Sequence, residues 1–155
     1  LAAHTFVSNK VLLVLTGYYS ERLKKLLPKG CEVTTCSYEE LDAISERYDW
    51  VMCAYTETSH AFKLDLKKVK SKCSDLEAKL YVDATGSIGL EDDHHLCDVT
   101  AFSSCKGLFG ITGACFIAYK KELTPNPSDH FYFNIETHKN KMISIRQKII
   151  KIFKI

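Results

Sequence analysis

Lys10-Val11-Leu12-Leu13-Val14-Leu15-Thr16-Gly17 is the stretch that decides the fold. Its apolar run is continuous rather than alternating, the pattern of a strand covered on both faces, and a glycine ends it. The next segment, 20–27, is helical in period. Ser20 reads as an N-cap, Leu23, Leu26 and Leu27 are the apolar positions, and Pro28 with Gly30 stops the helix. The alternation then repeats. Residues 31–36 predict a short strand, and Ser37 with Glu40 forms a capping box that predicts a helix to about Arg47. Residues 50–55 predict a buried strand, 64–73 a helix, and 79–83, 99–102 and 114–119 three further strands. Strands and helices in this order imply right-handed crossovers and a three-layer α/β/α domain around a mainly parallel sheet.

The composition agrees with one such domain. The chain has 155 residues, 46% of them hydrophobic and 26% charged, enough for one core and rather too few for two. Gly 7 and Pro 3 exclude collagen-like and low-complexity material. The longest apolar runs, 11–15 and 114–119, are strand-sized, so no membrane span is expected. The opening Leu1-Ala2-Ala3-His4 lacks the basic segment of a signal peptide and reads as an internal start, that of a fragment.

Charge divides the chain into two parts, 1–137 and 138–155. The second holds six basic residues (Lys139, Lys141, Arg146, Lys148, Lys151 and Lys154) and no acid. Without them 15 basic residues face 19 acidic ones, so the body carries −4, which argues against a nucleic-acid partner. The tail has apolar residues at 142, 145, 149 and 152, which as a helix would be basic and amphipathic, suited to a membrane surface or a partner groove. A slipped boundary or reading frame is the other reading of this segment. The seven cysteines are odd in number, lie partly inside apolar runs and contain no CxxC pair. Such a distribution fits reduced thiols in a cytoplasmic protein rather than a disulfide scaffold or a zinc ribbon.

Parallel sheets place their chemistry at the carboxyl ends of the strands. Two residues stand out there. Asp83 ends the apolar Leu80-Tyr81-Val82, and Lys106 follows Phe102-Ser103-Ser104-Cys105. Singly, Asp83 reads as a turn or cap residue and Lys106 as a surface lysine. Together they fit pyridoxal phosphate, which needs a Schiff-base amine and an acid for its ring nitrogen. The cluster Glu91-Asp92-Asp93-His94-His95-Leu96-Cys97-Asp98 reads as a solvated loop, because adjacent histidines diverge. No metal is expected there.

The stretches Tyr81-Val82-Asp83-Ala84-Thr85-Gly86 and Phe102-Ser103-Ser104-Cys105-Lys106-Gly107, with Gly110 and Gly113 beyond, resemble the class V aminotransferases of fold type I, most of all the 2-aminoethylphosphonate–pyruvate transaminases. Upstream, Thr16-Gly17-Tyr18-Tyr19-Ser20-Glu21-Arg22 resembles the segment whose aromatic ring stacks on the cofactor, and Tyr19 falls in that place. Glu57-Thr58-Ser59-His60-Ala61 resembles the family's "E-T/S-S-T-G", with His60 where a threonine usually bonds the cofactor's phenolic oxygen. The resemblance implies a partial large domain over 1–137 and pyridoxal 5'-phosphate as cofactor. Lys106 would be the catalytic amine, Asp83 the ring-nitrogen partner, Tyr19 the stacking ring, and His60, Ser103 and Ser104 further cofactor contacts. It also implies amino-group transfer from 2-aminoethylphosphonate or a small amino acid to pyruvate or glyoxylate, and a homodimer. The family's glycine-rich phosphate turn and its substrate-carboxylate arginine would lie outside these residues. Two alternatives stand beside this reading. One is a non-catalytic remnant serving as a binding or assembly module. The other is a cysteine desulfurase-like enzyme, against which Thr85 and Cys105 speak.

Overall fold

The structure, a computed structural model, describes residues 1–128, 132 and 134–152, the last eight of these as backbone. Six strands form its main sheet: β1 (Lys10–Leu15), β2 (Glu32–Ser37), β3 (Trp50–Ala54), β6 (Lys79–Asp83), β7 (Val99–Ser103) and β8 (Cys115–Tyr119). A small antiparallel hairpin, β4 (Thr56–Glu57) with β5 (Phe62–Lys63), follows β3. The helices are α1 (Ala2–Phe6), α2 (Tyr18–Lys24), α3 (Leu66–Asp75) and α4 (Ile135–Ile152).

The sheet order is β2-β1-β3-β6-β7-β8. The first five strands are parallel, and β8 closes the edge antiparallel to β7. This is the expected α/β architecture, and its cause is visible in alternate residues. Leu12, Val14, Val51, Cys53, Leu80 and Val82 pack on one face beneath Val69, Cys73 and Leu76 at and beside α3. Their neighbours Val11, Leu13, Trp50, Met52, Tyr81 and Val99 pack on the other against Phe6 of α1 and Leu23 of α2. Side chains alternate between faces along a strand, so burying both faces demands the unbroken apolar runs of the sequence.

Several local expectations are corrected. Ser37 and Glu40 do exchange capping-box bonds, Ser37 N–H to Glu40 Oε2 at 2.9 Å and Glu40 N–H to Ser37 Oγ at 3.3 Å. Yet only a short 3-10 turn, Leu41–Ala43, follows. Ile44 turns extended, and Lys10 N–H bonds Asp49 Oδ2 at 3.0 Å, so the chain runs back to set Trp50 beside Val11. Sheet pairing overrides the weak local preference for helix. Ser20 is not the N-cap of α2, which starts at Tyr18 with Gly17 before it, and the helix ends at Lys24 rather than at 27. The tail is helical, α4 running Ile135–Ile152, and of the expected apolar positions there only Met142 is described, 71% exposed. The other three (145, 149 and 152) lie outside the described side chains. Among the described residues no helix is long and apolar enough to cross a membrane.

Candidate functional site

Gly17 opens the site. It leaves β1 with φ +154°, and a Cβ there would stand 2.8 Å from Glu57 Cγ and press on the His60 ring, so only glycine lets the chain pass. Ser20 then folds back: its Oγ accepts from Thr16 N–H at 2.8 Å and Gly17 N–H at 2.9 Å. Glu57, fully buried at the end of β4, accepts from Ser20 N–H at 2.9 Å, Tyr19 N–H at 3.2 Å and Ser59 Oγ at 2.5 Å. Burial raises the Glu57 carboxyl, but the bonds it accepts from Ser59, Ser20 and Tyr19 outweigh burial and hold it below its usual range. An anion therefore caps the first turn of α2, on which Tyr19 stands.

Asp83 and Lys106 reach the same region from β6 and β7. Asp83 Oδ1 accepts from Thr85 N–H at 2.9 Å, which fixes the carboxylate at the end of its strand. Beyond β7, Ser104 Oγ donates to Ile111 O at 2.5 Å and to Ala114 O at 3.3 Å, and so holds the turn that carries Lys106. Gly107 lies so close to Ile88 O that any Cβ would collide with it. This approach seats the lysine-bearing turn on the turn after β6, and Lys106 Nζ lies 5.5 Å from the centroid of the Tyr19 ring. A cation over an aromatic face at this range is attracted by the ring's quadrupole.

Tyr19, Asp83, Ser103 and Lys106 line one cavity of about 310 Å³ at the carboxyl ends of the strands. That is near the lower end of small-molecule sites, roughly 300–1,000 Å³. Two candidate residues lie elsewhere. Ser104 is spent on closing its turn. His60 faces a neighbouring cleft beyond Gly17, beside Tyr38 and Phe62, and its Nδ1 pairs with Ser59 Oγ at 2.8 Å. Local geometry explains the separation. His60 is held at the end of the tight turn headed by Glu57, whose N–H···O bond to Glu57 O measures 3.2 Å. Thr58, two residues earlier, lines the cavity instead, as do Thr56, Arg22 and Cys105, which sequence reasoning did not single out. Arg22 was legible in principle, because it lies one helical turn after Tyr19. Thr56 Oγ1 is buried and has no hydrogen-bond partner among the described residues.

The acidic cluster at 91–98 has no part in this cavity. His94 Nε2 pairs with Ser87 Oγ at 2.9 Å and its ring stands edge-on to Tyr55, with centroids 5.2 Å apart. Asp98 is buried at the other end of the sheet and bonds Lys70 Nζ at 2.9 Å, Lys120 Nζ at 2.6 Å and Leu80 N–H at 2.7 Å. It clamps α3, β6 and the end of β8 together.

No family model matches the chain, and no curated protein matches it in sequence. Solved structures do share its fold. An alanine–glyoxylate aminotransferase from Nostoc sp. matches with 25% identity and a TM-score of 0.65, over 77% of this chain and 36% of that one. A ureidoglycine–glyoxylate aminotransferase from Bacillus subtilis matches at 20% identity and TM-score 0.64, over 77% and 35% of the two chains. A pyridoxamine–pyruvate aminotransferase from Mesorhizobium loti matches at 18% and 0.61, over 77% and 34%. The chain thus spans about a third of the length of the aminotransferases it resembles.

Proposed function

We propose that the cavity at the ends of the strands binds pyridoxal 5'-phosphate, and that residues 1–137 are the cofactor-facing part of an aminotransferase large domain, with 138–155 a separate basic tail. One observation carries the reading: a lysine, a carboxylate and an aromatic ring from three separate elements line a single cavity. Buried Thr56 Oγ1, unpaired among the described residues, adds a polar atom in want of a ligand partner. Similarity to aminotransferases whose names carry glyoxylate or pyruvate supports the same class of reaction.

When bound, the cofactor supplies an electron sink for charge developing at the substrate's Cα. Asp83 would keep a ring nitrogen of the cofactor protonated, because an adjacent anion raises such a nitrogen's pKa. Tyr19 would offer its ring face for stacking. Lys106 Nζ would hold the cofactor and, as a free amine, would take the proton from the substrate's Cα. Thr58 and Ser103 supply hydroxyls at the wall. The amino donor in this proposal is 2-aminoethylphosphonate or a small amino acid, and the acceptor is pyruvate or glyoxylate. The setting is a cytoplasmic homodimer, in keeping with seven free thiols.

Reductive trapping tests the reading. The chain is incubated with pyridoxal 5'-phosphate, reduced with borohydride and mapped by mass spectrometry. The expected result is a single adduct on Lys106 that is lost in Lys106→Ala and weakened in Asp83→Ala. Labelling spread over surface lysines would overturn the proposal in favour of a non-catalytic binding or assembly module.

A further inference from the structure

α2 presents more than Tyr19 to the cavity. Tyr19, Arg22 and Leu23 of α2 lie at spacings of three and four, one face of the helix, and line the cavity together with Leu26 just beyond the helix end. The Arg22 side chain makes no hydrogen bond or ion pair among the described residues. Around the same space stand Lys106 and the hydroxyls of Thr58 and Ser103, with Asp83 the only acid among the lining residues. Two cations therefore face one carboxylate. The carboxylate sits at the strand ends, whereas the guanidinium comes from the helix alongside. A ligand that suits this polarity turns a cationic nitrogen toward Asp83 and an oxyanion toward Arg22.

We propose that Arg22 is the oxyanion-recognising residue of this cavity, binding a phosphate, phosphonate or carboxylate through its planar pair of N–H donors. Whether that oxyanion belongs to the cofactor or to the substrate rests on the cofactor reading above; the preference for an anion does not. Among the described residues the guanidinium is unspent; it is placed by the same helical face that delivers Tyr19, and is charged at every working pH.

The test uses the full chain with inorganic phosphate and pyruvate as probes, followed through the backbone amide resonances of Thr58 and Gly86. Both probes should shift these amides in the wild type. Arg22→Ala should weaken the response about tenfold or more, the loss of one charge-assisted contact, and Arg22→Lys should restore part of it. Lys24→Ala removes a charge from an exposed position on the same helix that does not line the cavity, and should change nothing. Equal responses in the wild type and Arg22→Ala, or equal weakening by Lys24→Ala, would overturn the proposal.

Trapping at Lys106 then separates the two sources. If Arg22→Ala weakens trapping of pyridoxal 5'-phosphate but not of pyridoxal, the oxyanion is the cofactor's phosphate. If neither is affected and only the pyruvate response is lost, it is the substrate's carboxylate; both results support the assignment. Absence of Lys106 trapping in the wild type, with the anion response intact, would overturn the cofactor reading and leave Arg22 as an anion site.

Discussion

Replacing Glu57 with glutamine tests how the site is held open. The carboxylate is fully buried, and its Oε1 accepts from Tyr19 N–H, Ser59 N–H and Ser59 Oγ while Oε2 accepts from Ser20 N–H. Glutamine keeps one acceptor. Its best placement sets the amide oxygen among the three donors and the NH₂ against Ser20 N–H, which is then orphaned. Leaving one buried donor unsatisfied costs about 1–3 kcal/mol, and loss of the anion at the helix start adds roughly 0.3–1 kcal/mol. A total of about 1.3–4 kcal/mol is expected in urea unfolding at neutral pH. The pH dependence gives the sign. Because the folded carboxyl is held below its usual range, its contribution is present above the unfolded value, about 4.3, and is lost as pH falls through the folded one. The gap between wild type and Glu57→Gln should therefore narrow in acid. A variant within about 0.5 kcal/mol of wild type at neutral pH, with an unchanged acid limb, would refute the assignment of Glu57 as the anion that caps α2.

Three further outcomes are expected from the same geometry. Gly17→Ala drives a methyl into Glu57 and His60 and should destabilise by about 1–3 kcal/mol, with His60→Ala recovering part of the loss in a double-mutant cycle. Asp98→Asn weakens the clamp on Lys70 and Lys120 and should cost about 2 kcal/mol, less than a fully buried pair because both lysines keep contact with water. The Asp98 carboxyl is raised by burial but held low overall by Lys120, Lys70 and Leu80, so acid should erase the difference between wild type and variant. In thiol labelling, exposed Cys105 and Cys115 should react first. Cys73, pushed up to about 12 by burial, and Cys97, pushed up to about 11, should resist until unfolding. Pyridoxal 5'-phosphate should slow Cys105, which lines the cavity, and spare Cys115, which does not; equal protection of both would contradict the placement.

By itself the sequence determined the layered architecture. Continuous runs such as Val11–Leu15 and Trp50–Ala54 fit strands covered on both faces, and Asp83, Lys106 and Tyr19 each stand at or shortly beyond the end of a strand. Side-chain alternation and apolar burial are local, so a linear pattern records them. Contacts between distant segments are not recorded in this way. The helix foreseen after Ser37 gave way to a turn because Trp50 had to reach β1, thirty-nine residues after Val11. Ser20 became an inward brace rather than a cap because Glu57, thirty-seven residues on, already supplied the anion. His60, matched to a cofactor contact by its place in a motif, lies across Gly17 from the cavity, while Thr58 and Arg22 face into it. Which member of a short motif faces a cavity depends on the angle at which the hairpin leaves the sheet, and only the packed chain sets that angle.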